Sequence, residues 1–196
     1  MSLKIHTGWC RGMTLRSPKG SHTRPTASRT REAIWNSLAP ILQNSNIVDL
    51  FCGSGAVGIE GLSRGAKSCL FVENHRPALV VLKENLAELE ARAKRQNISV
   101  DICVSANDAK SAISMLQDSF YDIIWLDPPY EKVASFFSKN WLTLRTALNA
   151  EGVCVVESDK IGANAIWAYL ESIEQAELLA KQKVYGKTVV SFIRKI

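Results

Sequence analysis

Apolar runs of strand length recur along this chain, and stretches of helical spacing fill the gaps between them. The strand-like runs lie at 46–52, 68–73, 98–104, 121–126 and 152–157. Helix-compatible segments occupy 56–65, 75–95, 107–117, 132–148 and 161–174. Apolar strands alternating with helices predict right-handed crossovers and a mostly parallel sheet with helices on both faces. The alternation stops near the end, where 176–184 and 188–195 read as two strands around Tyr185-Gly186-Lys187-Thr188. That pair predicts an antiparallel hairpin closing the sheet edge. At the other end, residues 3–16 alternate loosely, are cut by Gly8 and Gly12, and read as a short hairpin. Ser28 can cap a helix with Glu32 in its first turn and apolar residues at 34 and 38, which Pro40 closes. The predicted fold is therefore α/β: a Rossmann-like, seven-stranded, mostly parallel sheet with a C-terminal antiparallel hairpin. A small basic N-terminal extension, residues 1–40, precedes the main domain, residues 41–196.

Charge changes this picture more than composition does. The formal net charge is +5, yet residues 1–31 hold seven Lys or Arg and no acid. The remainder carries 17 basic against 19 acidic residues, a net of −2. A basic arm on a near-neutral body suggests a polyanionic partner, most simply nucleic acid. Arg24, Arg29 and Arg31 gather where the loop meets the first helix, and helix N-termini suit phosphate. At 46% hydrophobic and 22% charged, the body is ordinary for a globular protein. No apolar run approaches the about 18 residues of a membrane span. The first residues lack the layout of a signal peptide, and the expected location is the cytoplasm. The five cysteines form no Cys-x-x-Cys pair and read as reduced core residues; no His/Cys cluster suggests a metal.

In open α/β sheets, ligands sit beyond the carboxyl ends of the strands, so the residues there carry the chemistry. Strand one ends in Asp49-Leu-Phe-Cys-Gly53-Ser-Gly55-Ala-Val-Gly58, where glycines let the backbone turn tightly and approach a ligand. Strand two ends at Glu73, placed to take both hydroxyls of a ribose. Asn107-Asp108 follows strand three and can address an adenine amine or cap a helix. Strand four stops at Asp127-Pro128-Pro129-Tyr130. Two prolines without N–H groups end the strand and hold an acid, a carbonyl and an aromatic ring in a rigid turn. That turn suits a flat amine. The glycine spacing also matches a dinucleotide fingerprint, but Asp49 would repel a pyrophosphate and suits the cationic amino-acid end of S-adenosylmethionine. A dinucleotide enzyme also has no use for Asp127-Pro-Pro-Tyr130.

Together, Asp49-x-Phe51-x-Gly53-x-Gly55, Glu73 and Asp127-Pro-Pro-Tyr130 resemble the motifs of seven-stranded S-adenosylmethionine-dependent methyltransferases that act on exocyclic amines. The chain more narrowly resembles the bacterial 16S ribosomal RNA guanine-N2 methyltransferase family called RsmD. Carrying that resemblance are Gly8-Trp-x-Arg11-Gly12-x-x-Leu15, Arg24-Pro-Thr26-x-x-Arg29-x-Arg31-Glu32, Val155-Val-Glu157-Ser and Tyr185-Gly186. It implies cofactor contacts from Asp49, Phe51, Gly53, Gly55, Glu73, Asn107, Asp108 and Asp127. It further implies RNA contacts from Arg11, Arg24, Thr26, Arg29 and Arg31. Asp127 and the Pro128 carbonyl are expected to accept the amine hydrogens, with Tyr130 stacking on the target base. The expected partner is 16S ribosomal RNA in an assembled small-subunit particle, met by a monomer.

Two other readings stay open. An adenine-N6 or other amine methyltransferase shares Asp-Pro-Pro-Tyr, and a non-catalytic RNA-binding assembly factor would share the fold. Tyr185 and Lys187 read as hairpin residues with incidental RNA contact, and Glu157 as a strand-end acid. The five tryptophans read as core, with Trp9 in the basic arm the exception.

Overall fold

The computed structural model describes residues 3–18, 28–173 and 179–194. They fall in two compact units, Met1–Ala109 and Lys110–Ile196.

The first unit opens with β1 (Leu3–Lys4) and β2 (Thr14–Leu15), an antiparallel pair with Leu3 opposite Leu15. Next comes α1 (Ser28–Leu42), which contains Pro40 and runs two residues past the expected stop. Proline's fixed φ is already helical, so the last residues keep their conformation although its ring removes one N–H from the ladder. Three parallel strands follow, β3 (Asn46–Leu50), β4 (Ser68–Val72) and β5 (Asp101–Ser105), in the order β5-β4-β3. Their crossovers are α2 (Ala56–Ser63) and α3 (Arg76–Arg95), and α2 packs on β3 and β4.

Burial differs between these two helices, and the sequence says why. Every residue of α2 is buried, so its one acid, Glu60, must be satisfied by protein. By contrast, α3 buries one stripe made of Ala78, Leu82, Asn85, Leu86, Leu89 and Ala93, flanked by half-buried Leu79, Val81 and Arg92, and exposes the rest. Its last turn carries Arg92, Lys94 and Arg95, the sign that the C-terminal end of the helix dipole favours.

The N-terminal arm is fastened to α2 and not loosely appended. Trp9 donates its backbone N–H to Ser63 O and its indole N–H to Leu62 O, both at 2.9 Å. Ser63 Oγ receives the Cys10 N–H at 3.1 Å and donates to Thr7 O at 2.7 Å. Trp9 is therefore an anchor of the arm, which accounts for its side chain without a stacked base.

The second unit holds β6 (Tyr121–Leu126), β7 (Leu148–Ser158), β8 (Leu179–Tyr185) and β9 (Thr188–Arg194) in the order β6-β7-β9-β8. β6 and β7 are parallel, while β9 runs antiparallel to both β7 and β8. β3 to β9 are thus the seven strands of a mostly parallel sheet with a C-terminal antiparallel hairpin. α5 (Tyr130–Ala147) and α6 (Lys160–Ser172) pack on each other, α5 also on β7 and α6 on β7 and β9. Asp159 caps α6 by accepting the Gly162 N–H at 2.7 Å.

β5 begins at Asp101, three residues into the expected run 98–104, and β7 and α4 depart further from the pattern in sequence. β7 begins at Leu148, four residues before the apolar run, because Leu148 pairs with Tyr121 and the register then shifts to join Ile123 with Val153. The polar residues between make the irregularity, and Asn149 Nδ2 donates to Asp122 Oδ1 there. α4 (Ala109–Ile113) is shorter than the expected 107–117. Serines compete for the backbone at its end, where Ser114 Oγ donates to Ser111 O at 2.8 Å. Four of the five cysteines are buried and all are free thiols. Burial pushes the thiols of Cys10, Cys52, Cys69 and Cys154 up, so they stay neutral as small core residues.

Glu60 is met by two arginines. Arg31 Nε lies 2.7 Å from Glu60 Oε2 with both side chains at most 1% exposed, and Arg64 Nη2 lies 2.9 Å from Oε1. Arg31 Nη2 also donates to Lys4 O at 2.8 Å, so one guanidinium ties α1 to α2 and to β1. Removing one partner of such a pair leaves a buried charge behind. Arg31→Ala should therefore destabilise the protein by about 3–5 kcal/mol in urea unfolding. A loss below about 1 kcal/mol would contradict the structural role assigned to this ion pair.

Candidate active site

The first constellation lies where β3, β4 and β5 end. Asp49, 1% exposed within β3, accepts the Gly58 N–H on Oδ2 at 2.9 Å. One carboxylate thereby joins the strand end to the first turn of α2, the place where negative charge is favoured. Between them the chain makes a tight loop: Cys52 N–H donates to Val72 O at 3.0 Å and Gly55 N–H to Cys52 O at 2.8 Å. Phe51 takes φ +65° and Gly55 +81°. For a phenylalanine that conformation costs roughly 1–3 kcal/mol and persists only where the surroundings enforce it, commonly at ligand sites. Gly58 has a different reason to be glycine. A Cβ there would meet Phe71 Cε1 at 2.4 Å and Cys69 Sγ at 2.6 Å, so the helix can lie against β4 only without a side chain.

Glu73, half-buried just after β4, closes the loop from the other side. Its Oε2 accepts the Gly53 N–H at 2.9 Å and its Oε1 accepts the His75 N–H at 2.8 Å. A carboxylate has about four acceptor sites, so two N–H bonds leave room for two hydroxyl donors. Gly53 faces open space, since a Cβ there would meet nothing within 4 Å. An anchored acid beside an open, unscreened backbone fits the ribose of an adenosine cofactor. Asn107 and Asp108 are exposed after β5, with Asn107 N–H donating to Ser105 Oγ at 3.4 Å.

The second constellation lies where β6 and β7 end. Asp127 is half-buried directly after β6, Pro128 is buried, and Pro129 takes φ −50° and ψ 133° before α5 begins at Tyr130. Tyr130 is 38% exposed and its hydroxyl hydrogen-bonds with Thr188 Oγ1 at 2.8 Å. Burial pushes the Tyr130 phenol up, and Asp127, Glu157 and Asp159 push it further against the Thr188 bond, so it stays protonated. Glu157 is buried at the end of β7 and accepts the indole N–H of Trp125 at 3.2 Å. Asp127, Glu157 and Asp159 thus lie near enough to Tyr130 to disfavour its anionic form.

The basic residues assigned to RNA separate into three groups. Arg11 and Arg29 are exposed. Arg24 and Thr26 lie outside the described residues. Arg31 requires a correction: it is fully buried against Glu60 and cannot reach a phosphate. The sequence placed it correctly in the first turns of α1, but its partner lies 29 residues away and left no local mark.

Two residues not anticipated from sequence hold this machinery in place. Asn85 Nδ2 donates to Ser54 O at 2.9 Å and to Arg16 O at 3.0 Å, while its Oδ1 accepts the Arg16 N–H at 2.9 Å. A single buried amide therefore joins the glycine loop to the end of the basic arm. Its signal was present, as the one amide on the buried stripe of α3. Thr188, which holds the Tyr130 hydroxyl, gave no such signal because it stands 58 residues away on the last hairpin.

Comparison with known proteins places the chain. The family model described as Conserved hypothetical protein 95 matches residues 3–194. The ribosomal RNA small subunit methyltransferase D of Escherichia coli (strain K12) is 32% identical over 157 residues, spanning 80% of this chain and 75% of that protein. A Bacillus subtilis (strain 168) protein, YlbH, named as a candidate rRNA methyltransferase, is 29% identical over 200 residues, 98% of this chain and 99% of its own length. Among solved structures, a candidate methyltransferase from Escherichia coli superposes with a TM-score of 0.71 at 26% identity, covering 100% of this chain and 98% of that one. With nearly its whole length matched, this chain belongs to the RsmD-type family, the one described as Conserved hypothetical protein 95.

Proposed function

We propose that this protein is an S-adenosylmethionine-dependent ribosomal RNA methyltransferase that modifies the exocyclic N2 amine of a guanine in the 16S RNA of the small subunit. The observation that carries this reading is the acidic turn after β6. Asp127 and the Pro128 carbonyl offer acceptors beside Tyr130, and an aromatic amine offers two hydrogens. The ribosomal RNA substrate is supported by the relatives named as rRNA methyltransferases.

S-adenosylmethionine supplies an electrophilic methyl group on sulfur. In the proposed site, Glu73 takes the ribose hydroxyls and Asp49 holds the loop while favouring the cationic amino-acid end. Phe51, Gly53 and Gly55 shape the loop against the cofactor, and Asn107 and Asp108 address the adenine. Asp127 and the Pro128 carbonyl accept the two amine hydrogens and turn the nitrogen lone pair toward the methyl carbon. With the cofactor bound, its methyl would be passed to nitrogen with the thioether as leaving group, and Asp127 or water would take the surplus proton on nitrogen. Positioning and electrostatics carry the rate. Tyr130 stacks on the guanine, which must be unpaired or flipped out to reach the turn. Residues 1–40 serve as an RNA-binding extension in which Arg11, Arg24, Thr26 and Arg29 contact the backbone. The proposed setting is the cytoplasm, with a monomer acting on the assembled particle.

Radiolabelled methyl from S-adenosylmethionine, offered to small-subunit particles lacking the native modification, should appear as N2-methylguanosine in 16S RNA. Label in N6-methyladenosine would keep the chemistry but overturn the guanine assignment, and no label would overturn the activity. Asp127→Asn should lower kcat by about 10²–10³, the usual cost of one well-aimed group at a developing charge. A kcat within a factor of about three of wild type would remove Asp127 from the mechanism.

A further inference from the structure

We infer that the β8–β9 hairpin is a second RNA-binding surface, which takes the phosphate backbone of the strand that carries the target base. The inference rests on the rRNA methyltransferase reading above. Residues 179–194 hold Lys181, Lys183, Lys187 and Arg194 and no acid, so positive charge is not confined to the N-terminal arm. The register shows where this charge lies. Tyr185 pairs with Thr188, Lys183 with Val190 and Lys181 with Phe192, and paired residues share a face. Tyr185, Lys183 and Lys181 therefore stand on the same face as Thr188, at steps of about 6.5 Å along the strand.

Thr188 is also the residue whose hydroxyl bonds the Tyr130 phenol at 2.8 Å. The basic row thus starts at the turn proposed to receive the base and leads away from it along β8. Gly186, at φ +60°, makes the tight turn that puts exposed Lys187 beside this start. Lys183 extends over the Phe192 ring, with Nζ 6.0 Å from its centroid, while Lys181 is exposed. β8 is the last strand in the sheet order, and Val184 on its opposite face is 70% exposed. An edge strand laden with lysine resists pairing with another strand, so its occupant should bind through charge. The acids around Tyr130 repel phosphate, whereas a nucleotide with its base in that turn must carry its phosphates elsewhere. The lysine row is the adjoining surface of suitable sign.

The test is the salt dependence of methyl transfer to undermethylated small-subunit particles by wild type and by the Lys181→Gln/Lys187→Gln double variant. Each lost phosphate contact on a single strand removes about 0.7 from the slope of log(kcat/KM) against log salt, so the pair should flatten it by about 1.4. The loss should fall on KM, with the rise in melting temperature caused by S-adenosylmethionine retained. An unchanged slope and KM would overturn the inference while the activity stood. A raised KM with an unchanged slope would assign the face to a protein of the particle and likewise overturn it. Absence of methyl transfer by the wild type would instead overturn the function on which the inference rests.

Discussion

Two carboxylates gripping backbone N–H groups set the shape on which the first unit depends. Asp49 holds Gly58 from β3 and Glu73 holds Gly53 from the end of β4, so the loop between strand and helix is pinned at both ends. With those bonds made, Phe51 can sit at positive φ, and the eight buried residues of α2 can settle on the sheet. Hydrogen bonds to a charged acceptor contribute roughly 1.5–3 kcal/mol each, enough to offset one strained residue. These two bonds restrain the loop, and restraint of a binding loop lowers the ordering cost of taking up a ligand. Asn85 extends the same rigidity to the arm, since its amide holds Ser54 O and Arg16 at once.

The second unit works by a different restraint. Two prolines end β6 and leave Asp127 and the Pro128 carbonyl without freedom to turn away. Tyr130 is then fixed by a hydroxyl bond to Thr188 and remains partly exposed. Acceptors dominate around it.

Most of the fold was legible because it rests on periodicity. Apolar runs 46–52, 68–73 and 121–126 became β3, β4 and β6 with boundaries moved by at most two residues. The strand-end positions were legible too, since Asp49, Glu73 and Asp127 stand at or just beyond the ends of β3, β4 and β6. What failed depended on distant contacts or on fine backbone competition. Arg31 looked like a phosphate ligand among other arginines, yet its role was decided by Glu60 in a helix whose complete burial no local pattern revealed. Thr188 and Trp9 were misread or unread for the same reason. Pro40 and α4 show the other limit, where one proline or a few serines shift a helix end without changing the element. Of the last hairpin's charge only Lys187 was noticed, because acids elsewhere in the body cancel it in the sum.

The central claim is that the anchored Glu73 carboxylate receives the ribose of S-adenosylmethionine. Calorimetric titration of the cofactor into wild type and Glu73→Ala tests it most directly. Loss of two hydrogen bonds to a charged acceptor amounts to about 3 kcal/mol, so the variant should bind roughly 100-fold more weakly. A dissociation constant within about threefold of wild type would contradict the account and place the cofactor elsewhere.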